Sequence, residues 1–210
     1  MSSILLAFGI AVKSLKIKLH KQKHQVMTQT SFYSEEELQT LGFKSIGKGC
    51  RISRKACFYG IESMTVGDNV RIDDFCILSG GIILGSNIHI SAYVALYGSK
   101  GIVMEDFTGI SSRTTVYSAM DDFSGEYLVG PIHPEGMTRV TGGPVIIRQF
   151  SQIGAHCVVM PSLTLAEGTV IGAMSFVRHS TEPWGIYFGV PARFIRKRTQ
   201  GLKNFANTTR

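Results

Sequence analysis

The sequence predicts a mainly β protein built as a parallel β-helix, and three observations carry the prediction. Aliphatic residues fall at Ile147, Ile153, Val159, Leu165, Ile171 and Val177, every sixth residue. The positions between them are often small or polar: Gly154 and Gly172 follow two of the aliphatics directly, and Thr169 and Ser175 stand further on. The same register runs upstream through Ile46, Ile52 and Phe58, then Val66, Ile72, Leu78, Leu84, Ile90 and Leu96, then Met104, Ile110 and Val116, with a slip of eight between runs. A helix requires an apolar period near 3.6 and a simple amphipathic strand a period of 2. A fixed period of six is the mark of a stacked repeat.

Composition narrows the function classes. A chain of 210 residues, 44% hydrophobic and 18% charged, supports one globular domain with a sizeable core. It has no apolar run of eighteen residues, so no ordinary transmembrane helix is expected. The net charge of +7 sits at the ends: residues 1–26 hold five lysines and residues 193–210 six Lys or Arg, with no acid in either. The body between them is mildly acidic. That distribution argues against a broad nucleic-acid surface and fits local capture of an anion. It gives no case for a metal. Of the four cysteines, Cys50, Cys76 and Cys157 lie four residues after a repeat aliphatic, where Ala, Ser and Thr also recur. They read as small core residues of a protein in a reducing compartment, the cytoplasm.

Taken in order, residues 1–26 form a basic extension, an apolar patch from Ile4 to Val12 followed by Lys13, Lys16, Lys18, Lys21 and Lys23. The pattern suits weak contact with a membrane surface, or a plain extension ahead of an alternative start at Met27. The second reading is preferred. Segment 27–44 carries a short capping helix, since Ser34-Glu35-Glu36-Glu37 is a capping box and Gly42 a stop signal. It is expected to cover the first coil, whose strand edges would otherwise be bare. The β-helix domain spans 45–198. It is interrupted by a long protruding loop at 119–143, rich in Gly and Pro and carrying Asp121, Asp122, Glu126, His133 and Glu135. A loop of that length in a compact domain suits a binding arm. Pro183-Trp184-Gly185 is expected to end the coils. Gly189-Val190-Pro191-Ala192 then leads into a basic C-terminal helix through Arg198, and 199–210 into a flexible tail.

The coils at 46–116 and 147–177, with Gly189-Val190-Pro191-Ala192 after them, resemble the left-handed β-helix acyltransferases, the hexapeptide-repeat family. Phe32-Tyr33-Ser34-Glu35-Glu36-Glu37-Leu38, Arg71-Ile72-Asp73-Asp74-Phe75 and Glu182-Pro183-Trp184-Gly185-Ile186-Tyr187 look like the branch acting on surface-polysaccharide sugars. The resemblance implies a left-handed crossover, a homotrimer, and acetyl-CoA as co-substrate in a groove between two subunits. It implies N-acetyl transfer to a nucleotide-linked amino sugar of the dTDP-4-amino-4,6-dideoxyglucose type. Acetylation of a sugar hydroxyl, as in galactoside O-acetyltransferases, is the alternative, and a non-catalytic β-helix scaffold the third reading.

Acyl transfer from a thioester needs a nucleophile, a route for its proton, a contact for the oxyanion and a grip on CoA. By resemblance, Ala155 and Ala173 lie on coil turns where small residues admit pantetheine. Arg178, Arg193, Arg196, Lys197 and Arg198 are the expected phosphate contacts. Galactoside-type members carry a histidine where alignment from Met104 puts Asp121, so the base is open between Asp121 and His89. His89 stands in Asn87-Ile88-His89-Ile90-Ser91, one residue before a repeat aliphatic, and is expected at a coil corner. A carboxylate is too weak a base for a hydroxyl but can orient an amine, so Asp121 favours an amine acceptor. Asp122, Asp73, Asp74 and Tyr93 are candidate substrate contacts, with a turn role the stronger reading for Asp73 and Asp74. His156 is expected on an apolar coil face.

Overall fold

A computed structural model describes residues 31–206. The expectations for residues 1–26 lie outside them. The chain winds as stacked parallel coils, with strands of two to ten residues in a 10-stranded and an 8-stranded sheet. Ile72 pairs with Ile90, and Ile153 with Ile171. Three six-residue units therefore close one coil, and each repeat aliphatic lands above its counterpart. One column runs Ile52, Ile72, Ile90, Ile110, Ile153 and Ile171, and another Leu78, Leu96, Val116, Val159 and Val177. These side chains are fully buried in one continuous core. The period of six thus has a mechanical cause, the three inward corners of a coil.

Backbone hydrogen bonds between coils fix this register. The Asp73 amide donates to the Ile90 carbonyl at 2.9 Å, Ser91 to Ile110 at 2.9 Å and Ser111 to Ile153 at 2.8 Å. The slips of eight are absorbed locally. The first adds the 3-10 turn Ile61–Ser63, and the second lies inside the long strand Ala95–Met104. Loop 119–143 leaves the stack between two arms, Ala119–Asp121 and Val140–Gly142, which pair antiparallel.

The first coil is capped as expected. Helix Glu35–Thr40 starts at Ser34, whose hydroxyl accepts from the Glu37 amide while the Glu37 carboxylate accepts from the Ser34 amide. Leu38 is its buried contact with the core. Arg54 donates to both oxygens of Glu37. That hydrogen bond, with the one from the Ser34 amide, holds the Glu37 carboxyl down at about 2.

The C-terminal end differs from the sequence expectation. Coils continue past Trp184 with strand Gly185–Phe188, parallel to Val170–Ile171. The basic segment Arg193–Lys197 is a strand, not a helix, and pairs antiparallel with Gly185–Phe188. An open sheet edge with unpaired backbone groups outweighed the helical preference of Arg and Lys. The expected flexible tail also departs: Lys203–Ala206 is helical, and Ala206 is buried with Phe150 and Trp184. His156 is not on an apolar face. It sits exposed at a corner with φ 57°, in the left-handed region where the coil turns. Cys50, Cys76 and Cys157 are buried, as expected, and burial pushes the Cys76 thiol up to about 11.

Two outcomes are expected. Ile90→Ala removes a side chain with no exposed surface and should cost about 2–5 kcal/mol, read as a lower urea midpoint at unchanged m. The Glu37 carboxyl is lower in the folded chain than its ordinary 4.5, so its contribution is present above that value and lost as pH falls. The gap in melting temperature between wild type and Glu37→Gln should therefore hold from neutrality to about pH 4.5 and close toward pH 2.

Candidate active site

The 8-stranded sheet forms one face of the β-helix. Strand alternation turns its isoleucines inward and the residue before each of them outward. Cross-strand pairing lines these outward residues up as Arg71, His89, Gly109, Gln152, Val170 and Ile186, one per coil. They stand about 4.8 Å apart along the stack. The row from Arg71 to Val170 lines a groove of about 800 Å³. Asn87 and Phe107 edge it on one side, and Ser91, Ser111, Gly154 and Gly172 on the other.

His89 lies in the middle of strand Ile88–Ile90, on the groove floor rather than at a corner. Its Nε2 is 2.8 Å from Oδ2 of Asp73. Oδ1 of Asp73 accepts from Arg71 Nε at 2.7 Å. Burial pushes the Asp73 carboxyl up, but the bonds from His89 and Arg71 outweigh it and hold the group below its ordinary value. Beside His89, Gly109 leaves the floor open. A Cβ there would meet only the His89 carbonyl oxygen, at 3.7 Å, so the coil itself does not demand glycine.

Asp121 is not in this groove. It ends the first arm of the loop and lines a second cavity, of about 390 Å³, with Tyr117, Met120, Phe123 and Met160. The two cavities share no lining residue, so one chain does not bring His89 and Asp121 together. Asp122 is occupied as a turn residue. Its Oδ1 accepts from the Ser124 amide at 2.7 Å, and bonds from Ser124 lower its carboxyl. Asp74 is likewise engaged, by Lys55 and the Ser53 hydroxyl. Tyr93 stands at a corner, stacked on Phe75 at 4.9 Å and with the Arg113 guanidinium 4.5 Å from its ring centre. None of Asp74, Asp122 and Tyr93 lines the groove.

The expected CoA contacts are only partly assembled. Ala155 and Ala173 sit at the coil edge next to Gly154 and Gly172, and these glycines line the groove in their place. Ile186 pairs with Arg196, so Arg196 continues the floor row at its C-terminal end. From His89 to Arg196 the row spans five strand spacings, about 24 Å. Arg193 is exposed on the same strand. Lys197 is drawn aside to the Pro183 carbonyl at 3.0 Å. Arg198 is engaged internally, donating to the Phe150 and Gly168 carbonyls and to the Gln152 amide oxygen. Arg178 is exposed after the strand Phe176–Val177 of the other sheet, away from the groove. Arg71, Gly109 and Gln152 were not singled out by the sequence, although each stands one residue before a repeat aliphatic, as His89 does.

No protein-family model matches the chain. It is 38% identical over 175 residues to the dTDP-4-amino-4,6-dideoxy-D-glucose acyltransferase of Escherichia coli, covering 82% of this chain and 91% of that protein. Among solved structures it is similar to AntD, an N-acyltransferase from Bacillus cereus in complex with dTDP and 3-hydroxybutyryl-CoA. Identity is 49% and the TM-score 0.83, over 86% of this chain and 97% of that one. A galactoside acetyltransferase in complex with coenzyme A matches at 20% identity and a TM-score of 0.53, over 80% of this chain and 72% of that one, which speaks for the fold alone. Coil architecture and near full-length similarity converge: the chain belongs to the hexapeptide-repeat β-helix acyltransferases, in the family of the dTDP-4-amino-4,6-dideoxyglucose N-acyltransferases.

Proposed function

We propose that this enzyme transfers an acetyl group from acetyl-CoA to the amine of dTDP-4-amino-4,6-dideoxyglucose, giving an N-acylated nucleotide sugar for surface polysaccharide. The groove carries the reading. It holds one imidazole on an open floor and runs toward a cation, Arg196, in a chain similar to a protein crystallised with that amino sugar and coenzyme A. The groove fits an extended co-substrate. Gly109 leaves room on the floor for a slender pantetheine arm, and Arg196 and Arg193 suit its phosphates. In the reaction the amine nitrogen bonds to the thioester carbonyl carbon and gives up one proton. The C–S bond breaks, and the sulfur leaves as the thiol of CoA. His89 is the group we assign to take the amine proton and return it to the sulfur. Three free buried thiols suit a cytoplasmic enzyme.

Asp121 enters through assembly. Phe123, Ile132 and Met137 on its loop are large apolar side chains left exposed, Ile132 by 86%. In a homotrimer the loop of one copy lies against the groove of the next, where Asp121 orients the amine that His89 deprotonates. A second reading concerns the acyl group. The open floor at Gly109, together with the AntD complex, favours 3-hydroxybutyryl-CoA as a competing donor.

Thiol release tests both. Turnover is expected with dTDP-4-amino-4,6-dideoxyglucose and not with a galactoside, and the preferred donor has the higher kcat/KM; turnover with the galactoside alone would overturn the N-acyl reading. His89→Gln should lower kcat about 10²-fold or more. Asp121→Asn should lower kcat/KM for the amino sugar by about 10–100-fold, the worth of one charge-assisted hydrogen bond. Refolding the two variants together should restore about one quarter of wild-type activity if neighbouring copies share each site, since a random mixture leaves that share of interfaces intact. No recovery would mean that Asp121 does not complete the site of a neighbouring copy.

A further inference from the structure

Arg71 and His89 on the groove floor are linked through Asp73, and the chemistry of this cluster is more specific than that of a lone imidazole. We infer that Asp73 is a positioning residue that fixes the tautomer of His89, so that Nδ1 is the basic atom offered to the groove. The inference rests on the assignment of His89 as the proton acceptor.

The argument is one of donors and acceptors. Two bonds hold the Asp73 carboxyl below its ordinary value, so near neutrality it is ionised and only accepts. Arg71 Nε takes Oδ1 at 2.7 Å. The proton on the 2.8 Å contact between Oδ2 and His89 Nε2 therefore belongs to the histidine, and Nε2–H donates. A neutral imidazole has one N–H, so Nδ1 keeps its lone pair. Nδ1 has no hydrogen-bond partner among the described residues, while the His89 side chain, 53% exposed, lines the groove. As the C–N bond forms, Nδ1 takes the amine proton. The resulting imidazolium already faces a bonded carboxylate, and it returns the proton to the sulfur as the C–S bond breaks. Arg71 acts on the carboxylate: its guanidinium, 5.4 Å over the Phe32 ring, pins the oxygen that His89 does not use.

Asp73→Asn separates this from a turn role. Arg71 cannot accept a hydrogen bond, so it claims the one carbonyl oxygen of the amide, and the NH₂ must face His89. Nε2 then has to accept and the proton moves to Nδ1. Two-bond ¹⁵N–¹H correlation on ¹⁵N-histidine-labelled full-length protein reads this directly, with the His89 signals identified by their loss in His89→Gln. The wild type and Asp73→Glu should show Nε2–H, and Asp73→Asn Nδ1–H. Activity should follow, with kcat of Asp73→Asn down about 10²-fold, KM for acetyl-CoA within about twofold, and Asp73→Glu recovering most of the loss. The nitrogen signals need neither substrate nor turnover, so an error in the acceptor sugar leaves them decisive. An Nε2–H signal retained in Asp73→Asn, or an unchanged kcat in that variant while His89→Gln is impaired, would overturn the inference.

Discussion

Everything in this fold depends on coils stacking in register. Most strands are only a few residues long and are stable because their amides and carbonyls bond to the coils above and below. One slip of a single residue would turn the buried column outward and the row of Arg71, His89 and Gln152 inward. The packed columns of Ile, Leu and Val forbid that. Both stability and the position of the candidate site follow from the same alternation, since in the 8-stranded sheet the residues before Ile72, Ile90, Ile110, Ile153 and Ile171 face the groove.

The stack also decides where irregularity is tolerated. Extra residues enter as the turn Ile61–Ser63, as the arm 119–143 and as a local register shift opposite Gly80 within the long strand Ala95–Met104, and the pairing regains register after each. The ends are managed separately. Leu38 closes the first coil, and the antiparallel strand Arg193–Lys197 covers the last. That final strand sets Arg196 in line with the groove floor and leaves Arg198 bonded inward, so the cations of one basic segment end in different environments.

The electrostatics of the groove are local. Asp73 sits between two donors and belongs to the groove through them, whereas Asp74, one residue on, faces Lys55 and Ser53 at the coil edge. Adjacent carboxylates thus do different work because the chain turns between them. Asp121 is the complementary case. Its cavity is lined by Tyr117 and Met160 and shares no residue with the groove that holds His89.

The sequence by itself determined the coil architecture, the capping helix and the buried cysteines, because these rest on periodicity and on contacts a few residues long. It also marked His89, through an offset from Ile90 that applies equally to Arg71, Gly109 and Gln152. Only the tertiary structure decided which of these meet. Asp73 reaches His89 across one coil, and Gly109 meets Gln152 across the whole loop. Such pairings depend on how many residues each coil edge absorbs, which local pattern does not encode. The basic tail shows the same limit. Its residues favour a helix locally, but a bare sheet edge gave their backbone better partners and made them a strand.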